Sequence, residues 1–443
     1  MRRIIAVLLF LLFVDDAETT YAHHGVTAFF GWVHEIQYEH LSLKIRPFDV
    51  FLAAALVIAL FRRSGRTLRV LPMRNAVLVQ FFTILAWFVY GIGRGGDPRT
   101  ASWQTYLMVS SIALTLVVAQ QFRAPSHYTL LAKSLVAAAV YRAIMLWYAY
   151  FAVVRPGTIV PFPEFVTSHD DSVLWVAAIL VLCVDALDKR SIAVTARTGL
   201  LVVLFLGAIL WNSRRLAWVS LGAASVTMLA LIPRGRMRRR VGMVSLVVGP
   251  LLALYVIVGS GSSSRIFRPL QAISTVSTEE DASTKARNVE NLGLIATANS
   301  AGPMIGTGWG EPFTSLSNKY SIAKYFELWQ YVPHNSILGL LAFTGVFGFA
   351  GYWLPFPTAV FLNARVARLA KNAGARHCGV LGVALLVVCA NQLYGDMGLF
   401  YLKPMYVMSV CFAMAIRLPA VAGVWNVRVA SRQASPREPA WQS

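Results

Sequence analysis

The chain has 443 residues, of which 57% are hydrophobic and only 14% charged, against about 25% charged in a soluble domain. A formal charge of +20 would suggest a nucleic-acid partner in a soluble protein. Here a membrane reading comes first, because basic residues fix the topology of apolar spans, and nothing resembles an RNA- or DNA-binding motif. Cys183, Cys378, Cys389 and Cys411 lie in or beside apolar stretches without zinc-finger spacing, which argues against a disulfide framework or a zinc module.

Apolar segments run through approximately 3–14, 46–61, 75–93, 102–122, 128–153, 172–187, 196–212, 216–232, 241–258, 334–362, 378–394 and 400–417. In lipid every backbone polar group must bond within its own element, so these runs are helices. The fold class is an all-α polytopic membrane protein with about 12 transmembrane helices. The first segment, "MRRIIAVLLFLLFV", has the basic start and short core of a signal peptide, and "TYA" ending at Ala22 offers a cleavage site. The acidic pair Asp15–Asp16 fits a retained helix better. His23, His24, His34 and His40 follow, as scattered surface histidines or, less simply, as metal ligands.

Orientation follows from counting. With the N-terminus cytoplasmic, 24 Lys and Arg fall on the cytoplasmic side and 8 in the short outer segments, as the positive-inside rule requires. Both termini are then cytoplasmic. The chain divides into an N-terminal bundle over 1–258 (about nine helices), a large outer loop over 259–333, C-terminal helices over 334–417 and a tail over 418–443 expected to be disordered and cytoplasmic. Arg142 sits mid-span, and such a charge needs a partner; Asp185 or a polar cavity are the options.

Several residues around the outer side carry candidate chemistry. In "PHNSILGLLAFTGVFGFAGYWL", His334 precedes Asn335 at the mouth of an apolar run. Continued as one helix, the run puts Gly345 and Gly348 about 20° and about 40° either side of the His334 azimuth. The glycine stripe would face a neighbouring helix and turn the histidine inward. Helix capping is the plainer reading. In "WNSRRLAWVSLG", Arg214 and Arg215 lie in a tight outer connection; guanidinium matches phosphate bidentately, and snorkelling is the rival. Within the long loop, 284–299 reads as a helix with Val289, Leu292 and Ala296 on one face. On it Arg287 and Glu290 form either an exposed i,i+3 ion pair or part of a site. "GPMIGTGWGEPF" is too rich in Gly and Pro for regular structure. Its Gly306, Gly308, Trp309 and Gly310 are candidates to line a sugar or phosphate pocket. Asp396 lies at an outer helix end, to orient His334, to bind a sugar hydroxyl, or simply to end the helix. No Asp-x-Asp pair stands at an outer helix mouth, and no Walker loop or zinc signature is present.

Taken together, these stretches resemble the O-antigen ligase and O-antigen polymerase family of bacterial lipid-linked glycan enzymes. His334–Asn335 followed after nine residues by Gly345-x-x-Gly348 is similar to that family's histidine motif. "NSRRLAW" is similar to its arginine motif, and Arg287…Glu290, then "GTGWGEPF", then the histidine helix, to its large loop. The departure is that Val219 stands four residues after Arg215, and Trp218 four after Arg214, where the ligase pattern has leucine; either arginine can be the counterpart, and the case for a strict ligase is weaker.

The resemblance implies a fold like the GT-C-type membrane glycosyltransferases and a metal-independent, inverting transfer without cofactor. The donor would be a glycan on undecaprenyl diphosphate; the acceptor, lipid A–core or another lipid-linked glycan. It implies a bacterial inner-membrane enzyme of lipopolysaccharide or exopolysaccharide biosynthesis with its site facing the periplasm. His334 would be the base, and Arg214 or Arg215 with Arg287 would bind the diphosphate. Glu290, Gly306, Gly308, Trp309, Gly310, Asn335 and Asp396 would contact or orient substrate. The alternative is a flippase or transporter for the same lipid-linked sugars, which shares the helices and the cations but needs neither the histidine nor a structured loop. A sensor or scaffold explains neither feature.

Overall fold

The computed structural model describes residues 1–14, 47–61, 72–156, 166–188, 191–232, 235–259, 282–317 and 328–425, with isolated positions between 262 and 270. The histidines at 23, 24, 34 and 40, Asp15, Asp16, the cleavage motif at Ala22, and the tail beyond 425 lie outside the described residues, as do several arginines of the charge count.

Among the described residues the regular structure is helical. The helices are α1 (Arg2–Val14), α2 (Pro47–Phe61), α3 (Arg74–Gly93), α4 (Pro98–Gln121), α5 (Pro125–Ala149, continued by a π turn), α6 (Asp171–Asp188), α7 (Ile192–Trp211), α8 (Arg215–Leu231), α9 (Arg236–Gly259), α10 (Ala282–Ala301), α11 (Ser336–Trp353), α12 (Pro355–Leu369), α13 (Ala373–Gly395) and α14 (Leu402–Val421). Among the described residues eight stretches are long and apolar enough to cross a membrane, counting α11 with α12 as one; α2 and α8 are apolar but shorter. The remaining two of the twelve apolar segments correspond to α1, which has 13 residues, and α6, which carries Asp171, Asp185 and Asp188.

The core lies where α14 and α13 pack against α4, α6 and α12. α14 is apolar on every face and buried over most of its length, as a helix surrounded by other helices must be. Four charges are buried at its start. The Arg142 guanidinium donates to Asp171 at 2.6 and 3.0 Å. Lys403 Nζ lies 2.7 Å from Asp170 and 2.8 Å from Asp171. Two cations face two carboxylates, so the cluster is neutral and its desolvation is offset by direct pairing. The partner of Arg142 is therefore Asp171, not Asp185: α6 begins with the acid pair beside α5, and sequence distance gave no hint of it.

The stretch 334–362 is not one helix. Pro355 starts α12, and α11 is itself interrupted at Gly345, which has φ 60° and ψ −172°. The azimuth argument for His334 therefore fails twice, because the histidine also precedes the helix, whose N-cap is Asn335. What fills the interruption is the glycine-rich loop. Gly308 N–H donates to the Phe343 carbonyl at 2.7 Å and Thr307 N–H to Ala342 at 3.3 Å. In return Val346 N–H donates to Pro303 at 2.9 Å and Phe347 N–H to Met304 at 3.1 Å. A broken helix inside a membrane protein must have its freed groups satisfied by other protein atoms, and this loop does so.

The loop's own glycines meet protein backbone. A Cβ on Gly306 would lie 2.6 Å from the Ala342 carbonyl, one on Gly308 2.3 Å from Gly91 Cα, and one on Gly310 2.8 Å from the Asp97 carbonyl. All three have positive φ, which only glycine adopts without strain. Trp309 is buried at 1% exposure against Phe343. The loop is pinned to α3 and α4 by Trp87 Nε1 donating to Ile305 O at 2.6 Å and by Gln104 Oε1 accepting from Gly310 N at 2.7 Å.

Gly345→Ala should destabilise the protein, because its Cβ would sit 2.3 Å from Ile305 N and its φ lies in the left-handed region. The strain alone is worth about 1–3 kcal/mol. A lowered unfolding temperature in detergent checks this; Gly222→Ala, at a position with open space around it, should leave that temperature nearly unchanged.

Candidate active site

The helix expected over 284–299 spans Ala282–Ala301 as α10. Its packed face carries Gly293, Leu294, Thr297 and Ala298, while Leu292 is exposed. The expected Val289/Leu292/Ala296 face is thus not the buried one. The reason is the loop behind it: Thr297 Oγ1 accepts from Thr314 N at 2.8 Å, and a Cβ on Gly293 would meet the Thr314 carbonyl at 2.4 Å.

This packing aims Glu290 at His334. Glu290 Oε1 accepts the His334 backbone N–H at 2.5 Å, and Oε2 accepts from ring Nδ1 at 2.7 Å. A carboxylate only accepts, so Nδ1 carries the proton and Nε2 is left as the basic nitrogen. The His334 carbonyl accepts from Met397 N at 2.7 Å. The residue is thus held by its ring, its N–H and its C=O, from α10 and from the α13–α14 turn. Glu290 commits both oxygens to His334 rather than to Arg287 three residues earlier. Asn335 is buried and caps α11, its Oδ1 accepting from Leu338 N at 3.1 Å.

A cavity of about 200 Å³ opens beside the pair, lined by Arg287, Glu290, Phe313, Ser315, Trp329 and His334 among others. Gly306, Gly308, Trp309 and Gly310 do not line it. They hold the loop whose continuation, from Phe313, does.

A second pair lies behind. Asp396 accepts from His169 Nδ1 at 2.9 and 3.1 Å and so does not contact His334 through its side chain. The next residue, Met397, carries the N–H that holds the His334 carbonyl and has φ 48°, an uncommon state for a non-glycine residue that the turn imposes. Burial would raise the Asp396 carboxyl, but the hydrogen bond and charge of His169, with Arg214 and Arg287, lower it to about 2. Arg287 lines the cavity beside His334, and the charge of Arg214 also acts on Asp396. Arg214 is half-buried, whereas Arg215 is exposed at the first position of α8. The α7–α8 turn is tied to the segment before His169 by Asn212: its Oδ1 accepts from Val166 N at 3.2 Å and Thr167 N at 3.0 Å, and its Nδ2 donates to Ser168 O at 3.2 Å.

Sequence reasoning passed over His169. The signal was available, since "HDDS" repeats the arrangement of "HNSI": a histidine, then a short polar cap residue, then an apolar helix. Among the described residues no group of three or more His, Cys, Asp or Glu is placed to hold a metal ion.

The fold and this end of the bundle define a multi-pass helical membrane protein with an oriented imidazole and one guanidinium group, that of Arg287, beside a small cavity. Residues 200–353 match the family model described as O-antigen ligase. The match contains Arg214, Arg215, Arg287, Glu290 and His334; Arg142, His169 and Asp396 lie outside it. No curated protein matches the chain.

Glu290→Ala should release the ring and orphan the part-buried His334 N–H. In ¹⁵N-histidine-labelled protein the His334 signal should change from the Nδ1–H tautomer to a mixture. The protein should lose about 1–3 kcal/mol of stability, the cost of an unsatisfied buried polar group.

Proposed function

We propose that the chain is a glycosyltransferase of the bacterial inner membrane that moves a glycan from an undecaprenyl-diphosphate carrier onto a sugar hydroxyl. The acceptor is lipid A–core, as in O-antigen ligation, or another lipid-linked glycan, as in polymerisation. The site faces the periplasm, and both termini are cytoplasmic.

The observation that carries this reading is His334 fixed by Glu290 with Nε2 as the basic nitrogen, beside a cavity that Arg287 also lines. The acceptor hydroxyl gives its proton to His334 Nε2 as its oxygen bonds to the anomeric carbon. The bond from that carbon to the phosphate oxygen breaks, and undecaprenyl diphosphate leaves from the opposite face, so the anomeric centre inverts. Negative charge grows on the departing diphosphate. Arg214 and Arg287 stabilise it, as preorganised cations do in a water-poor site. Arg214 rather than Arg215 takes this role because it is the one whose charge acts on the buried Asp396. Glu290 orients the base and stabilises the imidazolium, the part that a third group plays in other nucleophile–base arrangements. A transporter of lipid-linked sugars has no use for an imidazole held in one tautomer.

Single-turnover transfer and direct donor binding, measured on folded protein in lipid, test this. His334→Ala should slow transfer about 10²–10⁴-fold with donor binding retained. Arg214→Ala should weaken binding as well as transfer, with partial rescue by Arg214→Lys, since an ammonium lacks the bidentate fork. Arg215→Ala should be the milder change. EDTA should leave transfer intact. A near-wild-type rate for His334→Ala across about pH 5–8, the range of histidine titration, would remove His334 as the base.

A further inference from the structure

Asp396 presents a problem for an anion site. The residue is 5% exposed. The next residue, Met397, holds the carbonyl of His334, which shares its cavity with Arg287. Asn212, two residues before Arg214, clamps the segment that leads to His169, the partner of Asp396. The charges of both arginines hold the carboxyl low. A fixed negative charge in that position competes with a diphosphate for the same two guanidinium groups. The neighbouring acids do not raise this difficulty. Asp170 and Asp171, next to His169 on its own segment, are matched by Lys403 from α14 and Arg142 from α5. Glu290, from α10, is taken by His334. Asp396, from the α13–α14 turn, has His169 as its direct hydrogen-bond partner, at 2.9 Å, with Gln392 Nε2 at 3.5 Å. The Tyr401 ring stands 6.2 Å from the imidazole and supplies no charge at neutral pH.

We propose that His169 is the counter-charge of Asp396 and so a positioning residue for the donor's diphosphate. With the imidazole protonated, the pair is neutral and Arg214 and Arg287 turn to the phosphates. With the imidazole neutral, the carboxylate holds the guanidinium groups back. The proposal rests on the reading that this end of the bundle binds a lipid-linked diphosphate. It adds a residue outside the segment matched by the family model, and it gives a sign: donor binding takes up a proton, so affinity rises as pH falls. His169 is tied to the arginine turn through more than charge, because Asn212 clamps the three residues before it. The position of the imidazole and that of Arg214 are thus set together.

The experiment measures binding of undecaprenyl-diphosphate-linked N-acetylglucosamine to the full chain in nanodiscs across about pH 5–8, where histidine charge changes. This diester-linked diphosphate keeps a constant charge over that range. The wild type should bind more tightly as pH falls. His169→Gln should bind about 5–150-fold more weakly at the low end, the usual size of a coupling between two ligands, with a flat profile. His169→Gln combined with Asp396→Asn should recover affinity, because the uncompensated carboxylate is gone. Asp396→Asn alone should bind well with a flat profile, and His169→Lys should bind at every pH. His334→Ala should keep the wild-type slope, which assigns the slope to His169 rather than to the base. If His169→Gln does not fold, Asp396→Asn and His169→Lys carry the test by their flat profiles. Wild-type binding with an unchanged slope in His169→Gln, or a double variant as weak as the single one, overturns the proposal and leaves the diphosphate reading standing. Failure of the wild type to bind the donor at any pH overturns both.

Discussion

One carboxylate organises this end of the molecule. Glu290 grips His334 by its backbone N–H and by its ring, so the imidazole cannot rotate or change tautomer without breaking a bond at a half-buried position. For Glu290 to reach, α10 must lie against the loop at 313–317 and across the start of α11. That requirement passes down the chain. The loop is fixed because its glycine-rich part fills the break in α11 at Gly345 and bonds to α3 and α4. Glycines that look like a ligand cradle are thus the footing of the residues that line the cavity.

Charge is arranged in three groups with different purposes. The Arg142–Asp171–Asp170–Lys403 cluster is buried and balanced, and joins α5, α6 and α14. The His334–Glu290 pair is partly open to the cavity. The His169–Asp396 pair lies between them, linked to the first group through Asp170 and to the second through Met397. A cation-rich end of a bundle binds anions only if its own carboxylates are engaged elsewhere, and here Glu290, Asp396, Asp170 and Asp171 each have a cationic or ionisable partner.

Much of this was legible in the sequence. The helical membrane class followed from apolar runs and scarce charge. His334 stands out at the mouth of an apolar run, and Arg287 with Glu290 as an i,i+3 pair on a helix of the long loop. What was not legible depended on contacts between distant segments. Local spacing suggested Arg287 as the partner of Glu290, but the carboxylate goes to a residue 44 positions away. Helical periodicity carried His334 into α11, but periodicity presumes an unbroken helix and Gly345 breaks it. For Arg142 the sequence leaves Asp185 or a polar cavity open, while Asp171, at the head of the same helix as Asp185, takes it. His169 was missed because the acid that explains it is 227 residues on.

The central claim is that His334 Nε2 takes the proton of the acceptor hydroxyl. Chemical rescue tests it most directly. His334→Gly leaves a cavity of imidazole size between Glu290 and the acceptor, and added imidazole should restore single-turnover transfer to that variant, with rates rising with the basicity of substituted imidazoles. Arg214→Ala should not respond to imidazole. A His334→Gly protein that binds donor and stays folded, yet shows no rescue by any imidazole, or rescue independent of the imidazole's basicity, would contradict the account.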